Sequence, residues 1–178
     1  MPHVAVTAFG ADRPGMVAAA TKVFVERGCN LEYTSMTILR GQFAMMLIVD
    51  TPPGLTPGEL ERALAGPAAE LDLVVAVRAL DDEVPASPAG DAWTVSVYGV
   101  DHPGIVHRIS RLLADQTVNI VDLTTRVIGD PARPAYAMLL EVTVPPELDV
   151  DELGERLREL ARELGVECSL HASDADIL

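Results

Sequence analysis

Phe9-Gly10-Ala11-Asp12-Arg13-Pro14-Gly15-Met16-Val17 decides the fold, because it returns as Tyr98-Gly99-Val100-Asp101-His102-Pro103-Gly104-Ile105-Val106, with 89 residues from Asp12 to Asp101. The chain is a tandem duplication. In both copies an alternating apolar run precedes the stretch and an amphipathic run follows it, so it reads as a strand, a tight turn and a helix start. Pro14 and Pro103 are expected at the first helical position, where a fixed φ suits the helix and the missing N–H would have gone unpaired. Gly15 and Gly104 remove a side chain from the helix mouth. The expected result is a turn that exposes backbone donors.

Outward from the first turn, His3 to Phe9 alternates as a strand, and a helix from Pro14 to about Arg27 puts Met16, Ala19, Ala20, Val23 and Phe24 on one face. Gly28 stops it. Asn30 to Leu39 and Gln42 to Asp50 form a hairpin about Arg40-Gly41, and Thr51-Pro-Pro-Gly breaks the chain. Thr56 is an expected N-cap, with Pro57 at the first helical position and Glu59 completing a capping box. Gly66-Pro67 is expected to disturb this helix, which ends near Glu70 before a fourth strand from Leu73 to Arg78. The order is β-α-β-β-α-β.

Residues 81–91 mix charge, proline, glycine and serine without apolar periodicity, which is linker composition. The second copy runs from Trp93 to Tyr98 as a strand, from Pro103 to Gln116 as a helix with Ile105, Ile109, Leu112 and Leu113 inward, and through a hairpin of Asn119 to Ile128 and Tyr136 to Val144. Gly129 to Pro134 lengthens the hairpin loop, after which the offset is 93 residues, from Met45 to Met138. Leu153, Leu157, Leu160 and Leu164 line the last helix, with Glu152/Arg156 and Glu155/Arg158 spaced to pair on its other face; Gly165 ends it before a strand from Glu167 to Ala172. The expected domains are 1–80 and 92–178, joined by 81–91. Each is an α+β, ferredoxin-like sandwich, because right-handed crossovers put both helices of a unit on one face of its sheet. Phe43-Ala-Met-Met-Leu-Ile-Val49 is nevertheless apolar at odd and even positions, so the face without helices should be covered by self-association.

Composition excludes several classes. Lys+Arg 13 against Asp+Glu 27 gives a net charge of −14, which repels a phosphate backbone, so direct nucleic-acid binding is not expected and any effect on transcription needs a partner protein. The longest apolar run, Phe43 to Val49, is far below the roughly 18 residues of a membrane span. With no secretory signal at Met1-Pro2-His3, the expected location is cytoplasmic. Cys29 and Cys168 occupy non-equivalent positions and form no C-x-x-C, so neither a disulfide nor a zinc site is expected. His102 and His107 share a helix end without a predictable third ligand; no metal and no cofactor are expected. Ser169, His171 and Asp174 include triad residue types but no nucleophile elbow or oxyanion loop, so no catalysis is expected.

A βα turn reading Asp-x-Pro-Gly followed by two hydrophobic residues, with Cys29-Asn30-Leu31 and Val118-Asn119-Ile120 at the second strand, resembles the ACT domain in both halves. The spacing from Asp to Asn is 18 residues in each copy (Asp12 to Asn30, Asp101 to Asn119). Two such units and nothing else resemble the tandem ACT family typified by the glycine cleavage system transcriptional repressor. The resemblance implies a regulatory protein that senses an amino acid or similar metabolite and modulates a partner regulator or enzyme. Its site residues would be Asp12, Arg13, Pro14, Gly15, Met16 and Asn30, with Asp101, His102, Pro103, Gly104, Ile105 and Asn119 in the second copy. The chemistry is coherent: a free helix N-terminus receives a carboxylate, Asp faces an ammonium group, and an Asn amide serves either.

Plainer readings coexist with these. Asp12 and Asp101 could satisfy their own turns, Gly15 and Gly104 could serve close helix–sheet packing, Asn30 and Asn119 could be turn residues, and the acidic run from Glu147 to Glu163 reads as a solvated helix face. Two alternatives to a free-standing regulator are a feedback subunit of an amino-acid or folate metabolism enzyme and a scaffold that has lost its ligand. The copies differ at Arg13/His102 and at Glu32-Tyr33/Val121-Asp122, so they need not bind alike.

Overall fold

The computed structural model describes residues 2–81, 89–128 and 135–173. The chain divides into two compact units, Met1–Val84 and Pro85–Leu178. In the first, alternation and helical periodicity resolve into β1 (His3–Ala11), α1 (Met16–Glu26), β2 (Asn30–Leu39), β3 (Gln42–Asp50), α2 (Pro57–Glu70) and β4 (Leu73–Ala79). The second repeats the order as β5 (Asp91–Val100), α3 (Ile105–Asp115), β6 (Asn119–Ile128), β7 (Ala135–Val144), α4 (Val150–Leu164) and β8 (Val166–Ala172). Asp91, expected in the linker, is the first residue of β5. Residues 82–88, most of the expected linker, lie outside the described residues, as do 129–134 in the second hairpin and Asp174.

Each unit is an antiparallel four-stranded sheet, ordered β2-β3-β1-β4 and β6-β7-β5-β8. β1 pairs with β3 from His3 opposite Asp50 to Ala11 opposite Gln42. β2 pairs with β3 from Asn30 opposite Asp50 to Leu39 opposite Gln42, with a bulge between Leu31 and Tyr33. β6 repeats that bulge between Ile120 and Asp122. The β2–β3 turn has Arg40 at φ 50 and Gly41 at φ 77, the double left-handed geometry that matches strand twist.

Period-two burial separates the sheet faces. Phe43, Met45, Leu47 and Val49 are buried against Met16, Val23, Phe24, Leu60 and Leu64, while Met46 on the other face is 53% exposed. Met138, Leu140 and Val142 do the same against Ile109, Leu113, Leu153 and Leu157 in the second unit. Burying each large side chain stabilises a unit by about 1.5–3 kcal/mol. β2 is exposed at every residue.

Helix ends show where local chemistry prevails. α1 and α3 start one residue after the prolines: Gly15 and Gly104 are the N-caps, in left-handed conformations at φ 97 and φ 103. Pro14 and Pro103 therefore stand before the cap, where their fixed φ aims the chain into the turn. A Cβ at either glycine would meet nothing within 4 Å, so the glycines serve conformation and not close packing. α2 has the expected capping box, with Glu59 Oε2 accepting from Thr56 N at 2.9 Å. That bond is the main cause holding the Glu59 carboxyl below its ordinary range. α2 is not broken at Gly66-Pro67 but runs through to Glu70. Pro67 gives up one backbone bond, yet Leu60, Leu64 and Ala68 of the same helix stay buried and hold it in place. On α4, Arg156 Nη2 meets Glu152 Oε1 at 2.5 Å, whereas Arg158 lies over Gly154 and forms no ion pair with Glu155.

Gly15→Ala and Gly104→Ala should each cost about 1–2 kcal/mol of left-handed strain, with Gly15→Asn milder than Gly15→Ala. Urea denaturation measures this, and an alanine series without cost would contradict the cap conformation. A second outcome concerns Cys168, whose thiol burial pushes up to about 11 against a smaller opposing effect of Arg158. Since only the thiolate alkylates, iodoacetamide labelling of Cys168 should be slow at pH 8 and accelerate as pH approaches 11, read by mass spectrometry.

Candidate functional site

The end of β1 and the end of β5 each deliver a turn to a helix mouth. In the first unit Asp12 N donates to Gly41 O at 2.9 Å, which anchors the turn to the hairpin, and Arg13 N points at Met16 Sδ at 3.2 Å. The first intrahelical bond runs from Ala19 N to Gly15 O at 2.8 Å. No side chain caps α1, so the N–H groups of Met16, Val17 and Ala18 are uncommitted. α3 repeats this: Arg108 N donates to Gly104 O at 2.9 Å, no side chain caps the helix, and the N–H groups of Ile105, Val106 and His107 are left over.

The second helices differ. Thr56 caps α2, and Asp149 caps α4 by accepting from Asp151 N at 2.9 Å and Glu152 N at 3.2 Å. In each unit, then, the first helix presents bare donors and a partial positive charge while the second is closed. Asp12 and Asp101 are exposed beside the open mouths, and neither caps its helix. Their carboxylates stay available to a cation.

The remaining expected residues divide. His102 is tied down: its Nε2 lies 2.7 Å from Leu164 O and its Nδ1 3.2 Å from Pro103 O, so the ring bridges the turn to the end of α4. Arg13, its counterpart, is exposed beside the α1 mouth. Asn30 and Asn119 are not turn residues but open β2 and β6, opposite Asp50 and Thr143. The register sets Asn30 at the His3 end of its sheet and Asp12 just beyond the Ala11 end. Eight strand steps of about 3.3 Å separate those ends by roughly 26 Å. Within one unit Asp12 and Asn30 therefore cannot hold the same small molecule. Near Asn30, the bulge residue Glu32 approaches His3 Nε2 at 3.3 Å.

Two further residues stand toward the Asp101 end of the second sheet. Tyr136 lies opposite Gly99 on β5, on the helix face of β7, and is 7% exposed. Its hydroxyl is buried without a hydrogen-bond partner, a defect worth about 1–3 kcal/mol. Burial first, then the Asp101 charge, push the phenol above its ordinary range, while Thr125 opposes the shift. Thr125 lies beside it on β6, exposed, but no hydrogen bond of good geometry closes between them. The matching positions in the first unit are Phe43 and Met36, which like Tyr136 and Thr125 sit diagonally across their strand pair: Phe43 lies opposite Ile38 and Tyr136 opposite Val127. The Phe43/Tyr136 difference is visible in the repeat; only the topology places it under the turn.

A groove of about 670 Å³ between α3 and α4 has less to offer, because its arginines are engaged. Arg108 meets Glu163 at 2.6 Å and Arg111 meets Asp115 at 2.9 Å. Among the described residues no three His, Cys, Asp or Glu side chains gather as a metal site. No helix among them is long and apolar enough to cross a membrane.

Comparison with known proteins agrees with this anatomy. The model of the ACT domain matches residues 3–78 and again 94–171. The glycine cleavage system transcriptional repressor of Escherichia coli K12 is 28% identical over 172 residues, 95% of this chain and 89% of its own. A UPF0237 protein from Methanopyrus kandleri is 39% identical over 79 residues, 44% of this chain and 88% of its own, so it has the length of one unit. A crystal structure of an unknown protein from Galdieria sulphuraria superposes with a TM-score of 0.82 at 26% identity, covering 97% of this chain and 99% of that one. With both halves matched and both carrying the same open helix mouth, the chain belongs to the ACT domain family, as a tandem pair of its units.

Proposed function

We propose that this protein is a non-catalytic regulator that binds a free amino acid, or a metabolite of the same zwitterionic build, at its Asp-x-Pro-Gly helix mouths and passes occupancy to a partner protein. The observation that carries the reading is the contrast in capping: α1 and α3 are open while α2 and α4 are closed. Free N–H groups and the helix dipole suit a carboxylate, and Asp12 or Asp101 suits the ammonium group beside it. The relationship to a transcriptional repressor supports a regulatory role for the proposed signal. A net charge of −14 disfavours direct contact with nucleic acid, so a partner regulator or enzyme is the proposed recipient.

Self-association completes the proposal. β2 is a fully exposed edge strand with unpaired backbone groups, and a second copy of the chain can pair with it. Antiparallel pairing of β2 with its twofold mate sets Asn30 of one copy toward the Leu39 end of the other, the end at which Asp12 stands. That arrangement unites two parts of the site that a single unit keeps roughly 26 Å apart.

A thermal-shift panel of the common amino acids should raise the unfolding temperature for a small subset, since a ligand bound only by the folded state stabilises it by mass action. Silence across the panel would refute amino-acid sensing. With the strongest binder, Asp12→Ala or Asp101→Ala should weaken calorimetric binding by about 1.5–3 kcal/mol in the unit that holds it. Stability should change by less than about 0.5 kcal/mol, because neither carboxylate caps its helix. Sedimentation velocity at tens of micromolar should show a dimer or larger species, and a monomer would contradict edge pairing.

A further inference from the structure

The two mouths share backbone geometry but not the floor beneath it. Under the first, Phe43 and Met36 are apolar; under the second the same register positions carry Tyr136 and Thr125. The tyrosine hydroxyl has no exposed surface and no partner, at the end of the sheet where Asp101 and the bare α3 N-terminus stand. An orphaned donor in a core is not accounted for by packing, because the phenylalanine of the first unit fills the equivalent place without it. Thr125, whose side chain acts on the phenol, is exposed on the neighbouring strand β6.

We infer that the second unit is the one that senses, and that Tyr136, flanked by Thr125, donates its phenolic hydrogen to the α-carboxylate of an amino acid seated at the α3 mouth. This rests on the helix-mouth reading above and sharpens it. The carboxylate then takes the Ile105 and Val106 N–H groups together with the Tyr136 O–H, and Asp101 takes the ammonium group. Every recognised atom belongs to the part common to all amino acids, so the site reads a zwitterion through its backbone. The first unit, with Phe43 and Met36, lacks the third donor and stays empty at concentrations that fill the second.

Glycine is the probe, because it has no side chain and all its affinity must come from the groups named. Isothermal titration of glycine into the full-length chain should show one site per chain. Tyr136→Phe should weaken it by about tenfold or more, the loss expected for a charge-assisted donor. The unligated variant should unfold at the same or a higher temperature, since a partnerless hydroxyl has been removed. Thr125→Met, which installs the first unit's exposed residue, should weaken glycine similarly and serves if Tyr136→Phe folds poorly. Glycine binding that is unchanged in both variants, two equal sites per chain, or no glycine binding by the wild type would each overturn the inference. Asp101→Ala keeps the two levels apart: if it alone abolishes binding, the helix mouth stands and Tyr136 is not its reader; if it too binds as wild type, both readings fall.

Discussion

The left-handed conformation of one glycine in each unit is the constraint on which the rest depends. At φ 97 and φ 103, Gly15 and Gly104 bend the chain out of a strand and into a helix without a capping side chain. Ser, Thr or Asp caps a helix from the extended region, and α2 and α4 start that way from Thr56 and Asp149. A left-handed cap forgoes that bond and leaves three N–H groups facing outward. The cost falls on helix stability, and the packing of Met16 and Ile105, each 2% exposed, offsets it by fixing the first turn from below.

The sheet carries a second asymmetry. Both helices of a unit cover one face, so inward residues such as Leu47 and Leu140 are fully buried while Phe9, Met46, Tyr98 and Leu139 stay about half exposed. Large half-exposed apolar side chains together with a bare edge strand favour contact with further protein. The open helix mouth and the Leu39 end of the β2 edge lie at the same end of the sheet, since Leu39 and Ala11 both pair with Gln42. Ligand and partner would thus act on adjoining ground.

Most of the fold was legible because its signals are local and doubled. The bounds of β2 and β3 follow from their apolar runs and the Arg40-Gly41 turn, and the Thr56 box follows from residues three apart. Less local matters escaped. Pro14 does not begin α1, because whether a proline stands before or after the cap depends on a φ at the next residue that composition leaves open. α2 survives Pro67 because tertiary packing outweighs one lost backbone bond. At the site, Asp12, Gly15 and Asn30 are visible as a motif, but only strand register shows that Asn30 stands at the far end of the sheet. His102 stands in the motif as a candidate ligand contact, and only the fold shows its ring held 2.7 Å from Leu164 O. Tyr136 appears in the sequence only as the start of a hairpin strand, and its partnerless hydroxyl shows only in the fold.

The central claim is that uncapped helix N-termini are the recognition element. Amide chemical shifts test it directly, in a ¹H–¹⁵N spectrum titrated with an amino acid that stabilises the protein. The account predicts that the largest changes fall on the first-turn N–H groups, those of Ile105, Val106 and His107 or of Met16, Val17 and Ala18, moving as they would on donating to a carboxylate. Changes centred on the groove between α3 and α4, with the helix mouths silent, would contradict it.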